Sequence, residues 1–306
     1  MPGRLMLLDS ASLYFRAFFG VPDSLKAPDG TVVNAVRGML DFVATLTAQY
    51  RPDAIVAAWD DDWRPAWRVD LIASYKTHRV AEVTSAGISE EVVPDLLSPQ
   101  VPIIAEALTM LGIPVIGSEG AEADDIIGSL ARLWDGPVDI VTGDRDLFQL
   151  VRDEHPTRVL YTARGVGNHD VVDGAWIRAK YGVEPSQYVD FAVMRGDASD
   201  GLPGVPGIGE KTAASLLAAY GDLDGIEKAA DDPTSDLRPR IRQSLLDSRD
   251  YIKAARAVVA VREDVATVDA VIPSVPLTAD VCEAFTSFGT TWGLGGVPSR
   301  VIEALG

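Results

Sequence analysis

The sequence predicts an α/β domain with a mainly parallel, Rossmann-like sheet flanked by helices, followed by a smaller helical region. Three observations carry this. Short β-rich runs alternate with helical stretches through the first half, three of those runs end in acidic residues, and from about Ala175 the pattern turns mainly helical.

Taken in order, Arg4 to Leu8, Ala54 to Trp59 and Val138 to Thr142 read as buried strands, and Thr157 to Thr162 as a further one. Between the first two, Val36, Met39, Leu40, Val43 and Leu46 recur at helical spacing and predict a helix from Val36 to Gln49. Another opens near Glu122, with Ile126, Ile127, Leu130 and Leu133 on one face. Residues Ala81 to Gln100 are poorly periodic and punctuated by Gly87, Pro94 and Pro99, which reads as a long insertion. Beyond Ala175 the predicted helices are Trp176 to Tyr181, Gln187 to Met194, Glu210 to Tyr220 and Arg240 to Val261.

Composition bounds the rest. A chain of 306 residues, 47% hydrophobic, is long enough for one large core or two modest ones. The lone Cys282 has no internal disulfide partner, and the N-terminus lacks a signal-peptide pattern, so a cytoplasmic protein is expected. No apolar run approaches the roughly 18 to 20 residues needed to span a bilayer, and no fixed-period repeat is present. A net charge of −18 opposes general binding to phosphate backbones, so any such binding has to be local.

The acids are where the chemistry points. Asp9, Asp60 and the Asp144/Asp146 pair follow three predicted strands, whose carboxyl ends share one edge of a parallel sheet. Glu122, Asp124 and Asp125 open a helix expected near that edge, and Asp197 and Asp200 follow later. Nine such carboxylates repel one another unless something positive lies among them. Hard oxygen donors without His or Cys suit magnesium or manganese, and two ions about 4 Å apart serve in-line phosphodiester hydrolysis.

Two features suit a nucleic acid. Gly204, Gly207, Ile208, Gly209, Lys211 and Thr212 belong to a glycine-rich turn entering an amphipathic helix, a helix-hairpin-helix pattern that grips a backbone without reading bases. Arg64, Arg68, Lys76, His78 and Arg79 interleave with Trp63, Trp67 and Tyr75, a mixture of cations and rings that suits a single strand.

Met6-Leu7-Leu8-Asp9, Trp59-Asp60, Glu122-Ala123-Asp124-Asp125, Thr142-Gly143-Asp144-Arg145-Asp146 and Gly196 to Val205 resemble, in the same order, the motifs of bacterial 5′ nucleases (flap endonucleases). The resemblance spans almost the whole chain and is similar to the nuclease domain fused ahead of bacterial DNA polymerase I, here expected as a stand-alone, monomeric member. It implies a PIN-like fold with a catalytic core over 1–174 that includes a helical arch or clamp at about 76–100, a helix-hairpin-helix subdomain over 175–264, and a segment over 265–306 packing back on the core. It further implies that Asp9, Asp60, Glu122, Asp124 and Asp125 bind or surround a first metal and that Asp144, Asp146, Asp197 and Asp200 serve a second, with sharing at Glu122 or Asp124. Lys76 and Arg79 would act on the scissile phosphate, with Tyr75 and Arg68 beside them. Potassium would sit at the hairpin, and the substrates would be DNA junctions, 5′ flaps and RNA-primed 5′ ends.

Two departures stand out. Gly201 replaces the family's usual Asn, which is expected to loosen the turn aiming Asp200, and the arch segment carries Glu82, Glu90 and Glu91 with few cations. A Toprim-type nuclease would want Glu in place of Asp9, and a haloacid-type phosphatase would want Asp in place of Ala11. A non-catalytic DNA-binding scaffold would keep the hairpin without the acids.

Overall fold

The computed structural model describes residues 3–83, 89–265 and 277–306. Its strands are β1 (Leu5–Asp9), β2 (Ala54–Ala58), β3 (Val80–Val83), β4 (Ser89–Glu91), β5 (Val115–Ile116), β6 (Val138–Thr142), β7 (Thr157–Tyr161) and β8 (Asp170–Val172). Six of them form one sheet in the order β5-β2-β1-β6-β7-β8, parallel throughout except for the antiparallel β7–β8 pair. Among the described residues, β3 and β4 pair only with each other.

Every residue of β1, β2 and β6 is buried, because helices cover both sheet faces. Successive side chains alternate between the two layers. Leu5 and Leu7 join one core, and Met6 and Leu8 join the other.

The helices are α1 (Ser10–Gly20), α2 (Asn34–Tyr50), α3 (Ala66–Leu71), α4 (Gln100–Met110), α5 (Ala123–Leu133), α6 (Gly174–Tyr181), α7 (Tyr188–Arg195), α8 (Glu210–Tyr220), α9 (Leu223–Asp231), α10 (Pro239–Asp247), α11 (Arg249–Val259), α12 (Ala279–Thr291) and α13 (Val297–Leu305). The Met6/Leu8 face is covered by α1, α2, α4, α12 and α13, with Phe285, Phe288, Val297 and Val301 reaching the same core as Met39 and Leu40. The opposite core is built on α5 and extends into α6 to α11. No described helix is long and apolar enough to cross a membrane.

Several elements differ from the sequence reading. Leu133, expected on the buried face of α5, is exposed at its last turn. The single helix expected from Arg240 to Val261 is broken at Ser248, whose backbone leaves helical geometry. Its two halves have different partners, α9 for α10, and α7 and α3 for α11, so one straight apolar stripe would not serve both. The helical arch expected at about 76–100 is, among the described residues, a short 3-10 turn (Thr77–Arg79), the β3–β4 ladder and the start of α4. Glu82 and Glu90 lie in that ladder, where β-pairing competes with helix.

At the amino end of the sheet, Asp139 is fully buried and accepts from Arg4 at 2.8 Å and from Arg158 at 2.7 Å. Its two arginines are about one-third exposed, which moderates the cost of losing it. Asp139→Ala is expected to lower stability by about 2 to 3 kcal/mol, measured by urea denaturation, without altering the distant carboxyl edge of the sheet.

Candidate active site

Strand order reverses at β1, with β2 and β5 on one side and β6, β7 and β8 on the other, so a crevice opens over the carboxyl ends of β1 and β6. A cavity of about 330 Å³ lies there, lined by Asp9, Asp60, Glu122, Asp124, Asp144 and Asp197 together with Lys76, Arg79 and Arg145. A recess of about 10 Å³ adjoins it and shares Glu122 and Asp124, adding Asp146 and Asp200.

Local structure fixes each acid. Asp9 is the last residue of β1 and also caps α1, accepting from the Ser12 amide at 3.2 Å and from the Thr142 hydroxyl at 2.6 Å. Asp60, two residues past β2, accepts from the Ala123 amide at 2.7 Å and so ties that strand to the start of α5. Asp144 accepts from the Asp146 amide at 2.9 Å in the turn after β6. Glu122 caps α5 in a reciprocal box with Asp125, which is why this helix starts at the rim.

Cations sit among the acids. The Lys76 ammonium pairs with Glu122, and Arg68 reaches Glu122 at 2.9 Å. Arg79 pairs with Asp200 at 3.1 Å, and Arg145 with Asp197 at 3.0 Å. Lys76 also holds a left-handed backbone (φ 48°), an uncommon state for a residue with a side chain, fixed by its amide on the Asp200 carbonyl at 3.0 Å.

The electrostatics divide the acids into two groups. Burial pushes Asp9 up to about 7, with Asp60 and Asp144 adding repulsion against the Thr142 and Ser12 hydrogen bonds. Asp200 is pushed up to about 6, again by burial first. Burial and then the Asp144 charge hold Asp124 and Asp146 well above the carboxylate range, and burial raises Asp60. Glu122 and Asp197 go the other way. Burial would raise both, but Lys76 and Arg68 around Glu122, and Ser199, Arg145 and Arg195 around Asp197, outweigh it.

The residues suit a hard divalent cation by donor chemistry. The set is all oxygen, burial and neighbouring acids push several of its carboxyls upward, a strain that a cation would relieve, and Asp146 Oδ1 is buried with no hydrogen-bond partner. Among the described residues, however, no group of three or more His, Cys, Asp or Glu side chains is already drawn into a ligand cage. The physical reason is visible in the contacts. Lys76, Arg68, Arg79 and Arg145 take up oxygens of Glu122, Asp200 and Asp197 instead.

Known proteins resemble this chain in sequence and fold. Residues 4–182 match the 5′-3′ exonuclease N-terminal resolvase-like domain, and residues 183–276 match the 5′-3′ exonuclease C-terminal SAM fold. A 5′-3′ exonuclease of Streptomyces coelicolor is 56% identical over 302 residues, covering 98% of this chain and 99% of the relative. The chain belongs to the 5′-3′ exonuclease family. Another member, from Mycobacterium tuberculosis, is 47% identical over 313 residues, covering 100% and 98% of the two chains. DNA polymerase I of Mycobacterium bovis is 41% identical over 72% of this chain and 23% of its own length. Among solved structures, a T5 5′-exonuclease with bound zinc shares the fold at TM-score 0.63 and 17% identity, covering 99% of this chain and 100% of that one. The catalytic core of Rad2 with a DNA substrate does so at TM-score 0.60 and 19% identity, covering 99% and 91%.

Within this exonuclease fold some expected site residues lie elsewhere than the sequence suggested. Asp125 does not line the cavity. Its carboxylate is fully buried and taken by Arg68, the Glu122 amide and the Arg262 amide, which makes it a structural anchor. Arg68 and Tyr75 are buried, the first in ion pairs and the second with its hydroxyl donating to Glu122 at 2.8 Å, so neither is a surface for bases. Arg64 donates to the Tyr75 carbonyl at 2.6 Å and to the Thr77 hydroxyl at 3.2 Å, bracing the loop that presents Lys76.

At the hairpin, Gly207, Gly209 and Lys211 are exposed and Thr212 is half-buried, whereas Ile208 packs in the core. Gly204 donates its amide to the Tyr251 hydroxyl, and a Cβ there would meet the Arg195 carbonyl at 2.6 Å. Gly201 does not loosen its turn. It sits at φ 72°, Asp197 and Leu202 exchange backbone hydrogen bonds across it, and any Cβ would strike the Ser74 carbonyl at 2.1 Å.

Glu91, Arg145 and Arg195 also belong to this neighbourhood. Arg145 was legible inside its Asp-Arg-Asp run, but nothing in spacing marks Glu91 or Arg195.

The raised carboxyls have a consequence in chelator. Groups at about 7 (Asp9) and about 6 (Asp200), against 3.8 when unfolded, contribute stability that is full below pH 4 and lost as pH rises through 6 and 7. The metal-free protein is expected to melt about 2 °C or more higher at pH 5.5 than at pH 8 by calorimetry. The opposite order would show that these acids are not forced together.

Proposed function

We propose that this exonuclease is a structure-selective, divalent-metal-dependent 5′ nuclease that hydrolyses phosphodiesters near single-strand to double-strand junctions, at 5′ flaps and 5′ ends of DNA, with RNA-primed ends also accepted. The observation that carries it is one cavity in which acids from β1, β2, α5 and the turns after β6 and α7 surround Lys76 and Arg79.

Asp9, Asp60, Glu122, Asp124 and Asp144 would hold divalent cations, with Asp146 and Asp200 at the adjoining recess and Asp197 at the rim. Magnesium or manganese, when bound, would supply activated water and neutralise the leaving oxygen. The chain's own groups do the positioning. Lys76 is the buried cation of the cavity, and the acids around it hold its ammonium charged against burial, so it offers a fixed positive charge to a phosphate oxygen. Arg79, about one-third exposed at the same rim, offers a planar second contact. Next to them Val92 donates to the Arg79 carbonyl, so the ladder from Val80 to Glu91 flanks the path a 5′ arm would take.

Duplex binding is assigned to the hairpin between α7 and α8, where Gly207, Gly209 and Lys211 are exposed and the α8 start has no side-chain cap. Its uncapped amides and one lysine suit a phosphate rather than a base edge, and potassium at the turn belongs to the same reading. Binding through these amides and Lys211 is expected to weaken with salt.

The test is cleavage of an end-labelled 5′-flap duplex with manganese, magnesium or chelator. Wild type is expected to cut near the junction only with a divalent ion, and Asp144→Asn to lose about a hundredfold or more in rate while still binding duplex. Lys76→Met is expected to lower kcat with little change in duplex affinity. Undiminished cutting in chelator, or by Asp144→Asn, would exclude the mechanism.

A further inference from the structure

Glu122 is shared by the cavity and its adjoining recess, and its carboxylate is held by Lys76 from the cavity side and by Arg68 and Tyr75 from the recess side. Arg68 is 2% exposed and, with Tyr75, lines the small adjoining recess rather than the 330 Å³ cavity. One of its terminal nitrogens meets Glu122 Oε1 at 2.9 Å and the other meets Asp125 Oδ1 at 2.8 Å. The Tyr75 hydroxyl donates to the same Glu122 carboxylate, at 2.8 Å to Oε1 and 3.1 Å to Oε2.

The cradle is itself fixed. The Arg68 guanidinium lies 4.7 Å from the Trp67 ring centroid, and the Trp67 indole donates to the Gly120 carbonyl at 3.2 Å. Asp125 accepts from the Arg262 amide at 2.9 Å, just past the end of α11. That approach depends on Gly128, where a Cβ would meet the Arg262 carbonyl at 2.7 Å. A continuous path of bonds therefore runs from the helical region through Asp125 and Arg68 to Glu122.

We propose that Arg68, assisted by Tyr75, is a positioning residue that holds Glu122 in the orientation from which it serves a divalent ion. This rests on the metal-dependent reading above. A planar fork can bridge two carboxylates at once, whereas a lysine offers one point of charge and must choose between them. Arg68 therefore acts on metal affinity through Glu122 and touches no substrate.

The experiment titrates manganese into full-length wild type, Arg68→Lys and Tyr75→Phe by electron paramagnetic resonance, and measures duplex binding in chelator by anisotropy. Arg68→Lys is expected to weaken manganese binding about 10- to 100-fold and Tyr75→Phe by a smaller factor. Both should keep wild-type duplex binding in chelator, and saturating manganese should restore most of kcat. Unchanged manganese affinity in the two variants, or in Tyr75→Phe alone should Arg68→Lys not fold, overturns the positioning role while leaving the metal site standing. Equal loss of manganese and duplex binding overturns it too, as the mark of a general packing defect. Wild type that binds no manganese removes the metal reading itself.

Discussion

The constraint on which the rest depends is the mutual repulsion of carboxylates brought together in a dry cleft. Asp9, Asp60, Asp124 and Asp146 are all held above the ordinary carboxylate range by burial and then by neighbouring carboxylates, a state that weakens the fold near neutral pH. The chain carries that cost because its sheet places strand ends together, and it offsets part of it with Lys76, Arg68, Arg79 and Arg145. A site that crowds several buried acids together while surrounding one, Glu122, with Lys76 and Arg68 is suited to receive further positive charge.

The architecture explains why the arrangement persists. Both faces of β1, β2 and β6 are packed, so Asp9 and the turns carrying Asp60 and Asp144 move little relative to each other. Each acid also has a second job. Asp9 starts α1, Asp60 receives the first amide of α5, and Asp144 closes the turn after β6. Rim geometry is thus fixed by the same hydrogen bonds that start the helices. On the other side, the pairing of Lys76 with Glu122 and of its backbone amide with Asp200 joins the two recesses through one residue.

How far the sequence announced this can be argued residue by residue. The parallel sheet and the convergence of Asp9, Asp60, Glu122 and Asp144 were legible, because strand ends in such a sheet share an edge and short apolar runs mark the strands. Boundaries were less so. Ser248 splits a stretch whose apolar periodicity looked continuous, since α10 and α11 turn to different neighbours. Asp125 was misread because adjacent acids at a helix start look equivalent in sequence, while one helical position of rotation sends its carboxylate to Arg68 and the Arg262 amide. Arg68, Tyr75 and Gly204 were read as surface features for a related reason. Their residue types suit nucleic acid, but burial depends on long-range contacts such as Tyr251 to Gly204, which no local pattern reports.

The most direct measurement is anomalous diffraction from crystals of the full chain soaked in manganese. The account expects manganese peaks inside the cleft bounded by Asp9, Asp60, Glu122, Asp124 and Asp144, with carboxylate oxygens of these residues as their ligands. A cleft that stays empty at millimolar manganese, or ions found only on other faces of the molecule, would contradict it.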